Sequence, residues 1–313
     1  MSLNSTLKRI DSIDVLRGIV MVIMAIDHVR DFVHDQAYTG DPLNVLTTTP
    51  FLYFTRWITH LCAPTFVFLS GLSIYLQSIR KSKAELSSFL FKRGIWLVFV
   101  ELVLITLAIT FNPFYNLVLL QVIWAIGISM ILLGFLSRLP YKVVLAIGLV
   151  IVLGHNVLDF WEAAPGFKAG FWWDLFHHGL FSVYPIVGDH YLAIMYPFVP
   201  WTGLMILGYC FGVFFTSKFT SAERQKILYK TGSFLLGFFV VLRAINVYGD
   251  PHPWTTQASG FATFLSFMNV NKYPPSLAYM SVMIGIAILA LAFLENIHNK
   301  ITNLFRVFGR TAF

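Results

Sequence analysis

Eight stretches of this chain consist almost wholly of apolar residues: 13–33, 52–78, 89–111, 115–136, 143–158, 196–216, 227–247 and 275–295. About 20 such residues are what a helix needs to cross a hydrocarbon layer roughly 30 Å thick. Inside that layer no water is available to backbone N–H and C=O groups, so a lone spanning segment is helical. The sequence therefore predicts an all-α, polytopic membrane helix bundle of about eight transmembrane helices, a single domain over 1–313. Composition agrees, with 57% hydrophobic and only 12% charged residues. The polar, basic "MSLNSTLKRIDS" precedes a first run long enough to span, which predicts a retained first helix rather than a cleaved signal. Both cysteines, Cys62 and Cys210, lie in apolar runs where a thiol acts as a small hydrophobe, so neither a disulfide framework nor a metal site is expected.

The net charge of +7 does not point to nucleic acid, because the basic residues are dispersed in short loops between apolar runs. Loops retained in the cytoplasm are enriched in Lys and Arg. With the N-terminus cytoplasmic, the inner segments collect Lys8, Arg9, Arg80, Lys81, Lys83, Lys92, Arg93, Arg138, Lys142, Lys218, Arg224, Lys226, Lys230, Lys300, Arg306 and Arg310. The outer segments hold Arg30, Lys168 and Lys272. On the same map all histidines but His298 fall in outer loops or outer helix halves, namely His28, His34, His60, His155, His177, His178, His190 and His252. Long outer segments, 159–195 and 248–274, are rich in Trp, His, Gly and Pro and are expected to cap the bundle. Trp172 and Trp173 suit interfacial helices at headgroup depth.

An ionisable side chain within the bilayer costs about 3 kcal/mol or more, so it marks a functional site or a buried ion pair. Asp27, Arg56, His60, Glu101 and Arg243 qualify. Helix neighbours at i+1 point about 100° apart, whereas residues three or four apart share a face. Asp27 and His28 therefore do not pair with each other. His28 can meet Asp31, Asp27 shares a face with Asp31, and such a carboxylate pair calls for a cation. Arg56 and His60, at i and i+4, present one. Asp27 is thus expected to face Arg56 or Arg243, the plain alternative being an ion pair that fixes helix register. Pro64 lies four residues after His60, so the His60 carbonyl loses its helical donor and the helix bends there. His155 with Asn156, Arg243 with Asn246, and Lys272 in "NVNKYPPSL" are further binding candidates at the outer level, with helix capping, snorkelling and turn punctuation as alternatives. Glu101 is isolated in its run, which calls for protonation or an Arg on another helix. At the inner end Arg17, three after Asp14, is a candidate for a cytoplasmic phosphate-bearing donor.

Five stretches, "RIDSIDVLRGIVMVIMAIDHVRDF", "APTFVFLSGLSIYL", "GHNVLD", "YPFVPWTGLMILGYCFG" and "NKYPPSLAY", resemble the prokaryotic branch of the heparan-alpha-glucosaminide N-acetyltransferase catalytic-domain family. The likeness is spread over about 10–279. It implies a multi-pass enzyme of the prokaryotic plasma (inner) membrane that moves acetyl from cytosolic acetyl-CoA to an extracytoplasmic acceptor, an amino sugar or glycan. A histidine is central to that transfer, and His28 and His60 are its candidates here. Relatives continue into further apolar helices after the counterpart of "LFRVFGRTAF", which implies a chain truncated at its C-terminus. The implied partners are the lipid bilayer, acetyl-CoA and the glycan acceptor, with a homodimer left open.

Acyl transfer from a thioester needs a base for the acceptor's proton and donors for the developing oxyanion. The expected roles are His28 or His60 as base, Arg56 or Arg243 at the oxyanion, and Asp27 to orient and balance charge. A proton-coupled transporter or flippase using Asp27, His28 and Glu101 as a relay is the alternative. It would require a polar path continuous with the cytoplasmic side.

Overall fold

A computed structural model of the chain describes residues 10–33 and 40–311, without the side chain of residue 31. The basic residues Lys8 and Arg9, His34 and the expected partner side chain Asp31 lie outside it. Helix α1 (Asp11–Val33) has 23 residues, about 35 Å at 1.5 Å per residue. Helix α2 (Pro50–Thr59) opens with Pro50 in its first turn after Thr49, whose hydroxyl accepts from the Leu52 N–H at 3.3 Å. After a bend at His60 and Leu61 the chain continues as α3 (Cys62–Ser78). Ser82 and Glu85 form a reciprocal cap for α4 (Lys83–Phe99), which runs through a π-helical turn, Val100–Ile105, into α5 (Thr106–Thr110).

Strand β1 (Leu117–Leu120) precedes α6 (Val122–Leu136). Then come α7 (Tyr141–Gly154), α8 (Val157–Glu162), α9 (Phe171–Phe176), β2 (Ser182–Val187) and β3 (His190–Ile194). Helix α10 (Phe198–Phe211) ends in a 3-10 turn, and α11 (Ser221–Ile245), α12 (Gly260–Met268), α13 (Leu277–Leu294) and α14 (Lys300–Thr311) complete the described chain.

Among the described residues six helical segments are long and apolar enough to cross a membrane: Pro50–Ser78, Lys83–Thr110, Tyr141–Glu162, Phe198–Phe215, Ser221–Ile245 and Leu277–Leu294. The other two expected spans correspond to α1, which carries Asp14, Arg17 and Asp27 within its length, and to α6, which has 15 residues. Most ends shift by a few residues, as for Ser221–Ile245 against the expected 227–247, and one boundary differs in kind. The run 115–136 does not begin as helix, because 117–120 form β1, parallel to β3 with Leu117 opposite Tyr191 and Leu120 opposite Ile194. Strand β2 lies antiparallel on the other side of β3, with Ser182 opposite Ile194. A short apolar run reads equally as buried strand or helix, and only pairing with a distant segment decides.

Helix α10 is the central post, packed on α3, α7 and α6, while α11 packs on α13, α4 on α6, and α14 on α1. Between membrane helices the hydrophobic effect gives no net attraction, so close packing of small residues takes its place. At the α3–α10 crossing Gly71 lies against the Met205 carbonyl and Gly208 against the Phe68 carbonyl, with no room for a Cβ at either position. Gly208→Leu is therefore expected to destabilise the bundle by about 3 kcal/mol or more, an overpacking cost at the top of the usual range. Thermal unfolding in detergent would show it.

The end of the bundle that carries the N-terminus of α1 is tied by charged groups. Arg224 Nε donates to Glu295 Oε1 at 2.8 Å, and the Ser12 hydroxyl, already inside α1, donates to Glu295 Oε2 at 3.1 Å. Arg306 of α14 donates to Asp11 at 2.9 Å.

Candidate functional site

The site starts from the bend in the second span. Pro64 has no N–H to offer the His60 carbonyl, and Tyr279 of α13 supplies the missing donor, its hydroxyl lying 2.8 Å from that oxygen. The bend expected from the sequence is thus present and fastened to another helix. Tyr279 itself is fully buried, so removing its hydroxyl strands a buried carbonyl. Tyr279→Phe is expected to cost about 1–3 kcal/mol, read as a lowered unfolding midpoint.

One turn before the bend, Arg56 Nη1 donates to both Asp27 oxygens at 2.7 Å. The Thr59 hydroxyl adds a donor to Asp27 Oδ1 at 3.0 Å, and Arg30 Nη2 lies 3.1 Å from the same oxygen. The question of why an apolar helix keeps Asp27 is answered here: one carboxylate holds two guanidinium groups.

His60 is 3% exposed, and its Nδ1 is enclosed with no partner among the described residues. It faces a cavity of about 640 Å3, shared with Arg30, Arg56, Lys272, His252, Asn271 and Tyr273. The Lys272 ammonium lies 5.0 Å from the Tyr273 ring centroid and 6.0 Å from that of Tyr196. On the far side of the Asp27–Arg56 pair is an apolar crevice of about 360 Å3 lined by Ile26, Val29, Val33, Phe51 and Leu52. Arg30 and Arg56 line both spaces, so the ion cluster forms the wall between them.

The loop that brings Lys272 into place is held by side chains closing the C-terminal end of α12. A helix leaves its last four carbonyls without intrahelical donors. Here Tyr53 donates to the Leu265 carbonyl at 2.7 Å, Arg243 to Ser266 and Phe267 at 2.9 Å each, and Trp57 to Met268 at 3.0 Å. Arg243 also donates to the carbonyls of Asn269 and His252, at 3.0 and 3.1 Å. Asp250 completes the clamp, accepting from the Asn271 N–H at 3.0 Å and the Ser276 hydroxyl at 2.7 Å. Burial lifts the Asp250 carboxyl above the usual carboxylate range, against the pull of those donors and of Arg243.

The candidates thus divide. Asp27, Arg56, His60 and Lys272 come together at one level; Asp27 meets Arg56 and not Arg243, whose guanidinium is taken by loop carbonyls. Asn246 ends α11 in the left-handed conformation (φ 54°) and clasps Trp254 through both side-chain atoms, at 2.9 and 3.0 Å. Asn156 accepts from the Leu277 N–H at 2.9 Å, and His155 Nδ1 lies 3.1 Å from His177 Nε2, away from the His60 cavity. His28 is exposed and is not among the described lining residues. Arg17, at the other end, donates to the Leu69 carbonyl at 3.1 Å and to the Ser73 hydroxyl, joining α1 to α3.

Glu101 is fully buried and pairs with no Arg among the described residues. Its Oε2 accepts the Trp124 N–H at 2.9 Å, so the carboxyl closes the N-terminus of α6, where a helix favours negative charge. Sequence reasoning did not assign Arg30, His252, Asn271 or Tyr273 to the site. For Arg30 the signal was present, three residues after Asp27 on the same face. For the other three, only the folded loop shows where they lie.

Between this level and the opposite end, the buried core to which α1, α3 and α13 contribute includes Val20, Phe66 and Met283. The charged groups described on these helices therefore gather at two ends rather than along the depth.

No curated protein matches the chain. A family model described as "Heparan-alpha-glucosaminide N-acetyltransferase, catalytic" matches residues 9–242. That stretch contains Asp27, Arg56, His60, His155 and Asn156 and stops just short of Arg243. A match over most of the length, on a helical bundle with a cation-rich polar cavity, places this chain in the heparan-alpha-glucosaminide N-acetyltransferase catalytic family, as a transmembrane acyltransferase.

Proposed function

We propose that the chain transfers an acetyl group from acetyl-CoA to an amine or hydroxyl of a sugar held in the 640 Å3 cavity. The observation that carries this reading is His60: a buried imidazole, its Nδ1 without a partner among the described residues, in the lining of a cavity that also holds Arg30, Arg56 and Lys272. A general base has to reach the acceptor's proton within hydrogen-bond distance, and an imidazole is suited to the task near neutral pH. In the step proposed, the acceptor's lone pair attacks the thioester carbonyl carbon as His60 removes its proton. The oxyanion of the tetrahedral intermediate is held by Arg56 and Lys272 together. Collapse breaks the C–S bond, and the CoA thiolate takes up the proton. Asp27 holds the Arg56 fork in a single geometry.

The buried apolar side chains of Val20, Phe66 and Met283 disfavour the alternative, a proton relay spaced through the membrane. Detergent-purified protein supplied with labelled acetyl-CoA and a panel of amino sugars tests the reading. Labelled acetyl-sugar is expected, and Lys272→Met is expected to lower its rate by about 10²-fold, the usual loss on removing one oxyanion donor. Release of CoA with no labelled sugar, or a Lys272→Met rate equal to the parent's, would contradict it.

A further inference from the structure

A second group of titratable side chains lies at the outer end of α7, α8 and α9 and takes no part in the chemistry above. One ligand atom each from Asp159, Glu162 and His177 falls within 4.8 Å of the others. His177 is fully buried, with Nδ1 2.8 Å from Glu162 Oε1, an oxygen that also accepts from Trp173 Nε1 at 2.7 Å. Asp159 accepts from Asn156 Nδ2 at 2.6 Å through Oδ2, while its Oδ1 is enclosed with no partner. Among the described residues neither Asp159 nor Glu162 forms an ion pair with Lys or Arg. Two carboxylates so close, in a partly dry pocket with no Lys or Arg among the described residues, repel each other unless a protonated His177 or a bound cation lies between them.

We infer that Asp159, Glu162 and His177 form a binding site for a divalent first-row transition-metal ion, of the Zn2+ or Mn2+ kind. Imidazole nitrogen suits zinc, carboxylate oxygen suits manganese, and a mixed set of one nitrogen and two oxygens admits both. The surroundings have the form that metal sites need beyond their ligands. A ligating imidazole commonly gives its second N–H to a neighbouring acceptor, which fixes the ring and its tautomer. His177 Nε2 meets His155 Nδ1 at 3.1 Å, and His155 is buried, so a neutral His155 with its proton on Nε2 can accept that second N–H. His155 is thus a positioning residue. The ion would tie α9 and the segment before it to the end of α8, pinning the cap to the bundle. Cysteine usage gave no hint of such a site, because its ligands are carboxylates and a histidine spread over 19 positions, 159–177.

The test uses the full chain purified in detergent, stripped with EDTA and titrated separately with Zn2+, Mn2+ and Co2+, with bound metal counted by elemental analysis. One equivalent of Zn2+ or Mn2+ is expected, with a raised unfolding midpoint, and Co2+ is expected to give ligand-field absorption bands. Glu162→Gln keeps an oxygen for the Trp173 N–H while removing a charge, and is expected to lose the bound equivalent with the helical circular dichroism unchanged. His155→Phe is expected to weaken binding by about 10–100-fold, as losses of such outer partners do. No saturable equivalent with any of the three ions would overturn the assignment, as would an equivalent that Glu162→Gln leaves in place.

Discussion

Replacing His60 with alanine is expected to lower acetyl transfer by about 10²–10⁴-fold, the range that a positioned general base contributes. The effect should fall on kcat, because the imidazole acts on the proton that moves and adds little ground-state affinity. His60→Ala leaves Tyr279 bonded to the backbone carbonyl at 60, so the bend that shapes the cavity does not depend on the ring that is removed. His28→Ala serves as comparison. That residue is exposed on α1 and outside the described cavity lining, so its loss is expected to leave the rate near the parent's. Initial rates with labelled acetyl-CoA, at matched helical content, separate the two.

Removing Asp27 is expected to have the second largest effect, through a different route. Asp27→Ala leaves the Arg56 and Arg30 guanidinium groups, 15% and 14% exposed, facing each other without their shared carboxylate. Removing one side of this part-buried pair is expected to cost about 1–3 kcal/mol. The double variant Asp27→Ala/Arg56→Met removes both the anion and one cation, and should recover much of that stability. It should not recover transfer, because the guanidinium proposed for the oxyanion is gone. Unfolding midpoints and rates measured on the same three proteins distinguish this account from a pair that only sets helix register. In the register case, stability and activity would return together.

Much of the architecture could be read from the chain because length and apolarity alone demand spanning helices. The bend at His60 was equally legible, since a proline's missing donor is a local fact. Asp27 was readable as a residue needing a cation, but two arginines answered that description. Only the packing of α2 against α1, with Arg243 drawn off to the carbonyls of α12, selects Arg56. Arg243 has the same chemistry as Arg56 and a different employment, which no spacing rule separates. Residues 117–120 show the same limit for backbone: their apolarity is compatible with helix, and the β3 partner that makes them strand lies some 70 residues away. The Asp159, Glu162 and His177 cluster was invisible for a related reason, since the intervening turn and α9 decide which of many outer polar residues meet.

The central claim is that the cavity beside His60, at the end of the bundle opposite the Lys- and Arg-rich loops, is where the acyl group meets its acceptor. The most direct measurement is sided. Vesicles carrying the protein in one orientation receive labelled acetyl-CoA on the face of those basic loops and an amino-sugar acceptor on the other face alone. Label is predicted to appear on the acceptor with the parent protein and to be reduced by about 10²-fold or more with His60→Ala. Label that appears at the same rate in both, or only when acceptor is moved to the acetyl-CoA side, would contradict the account.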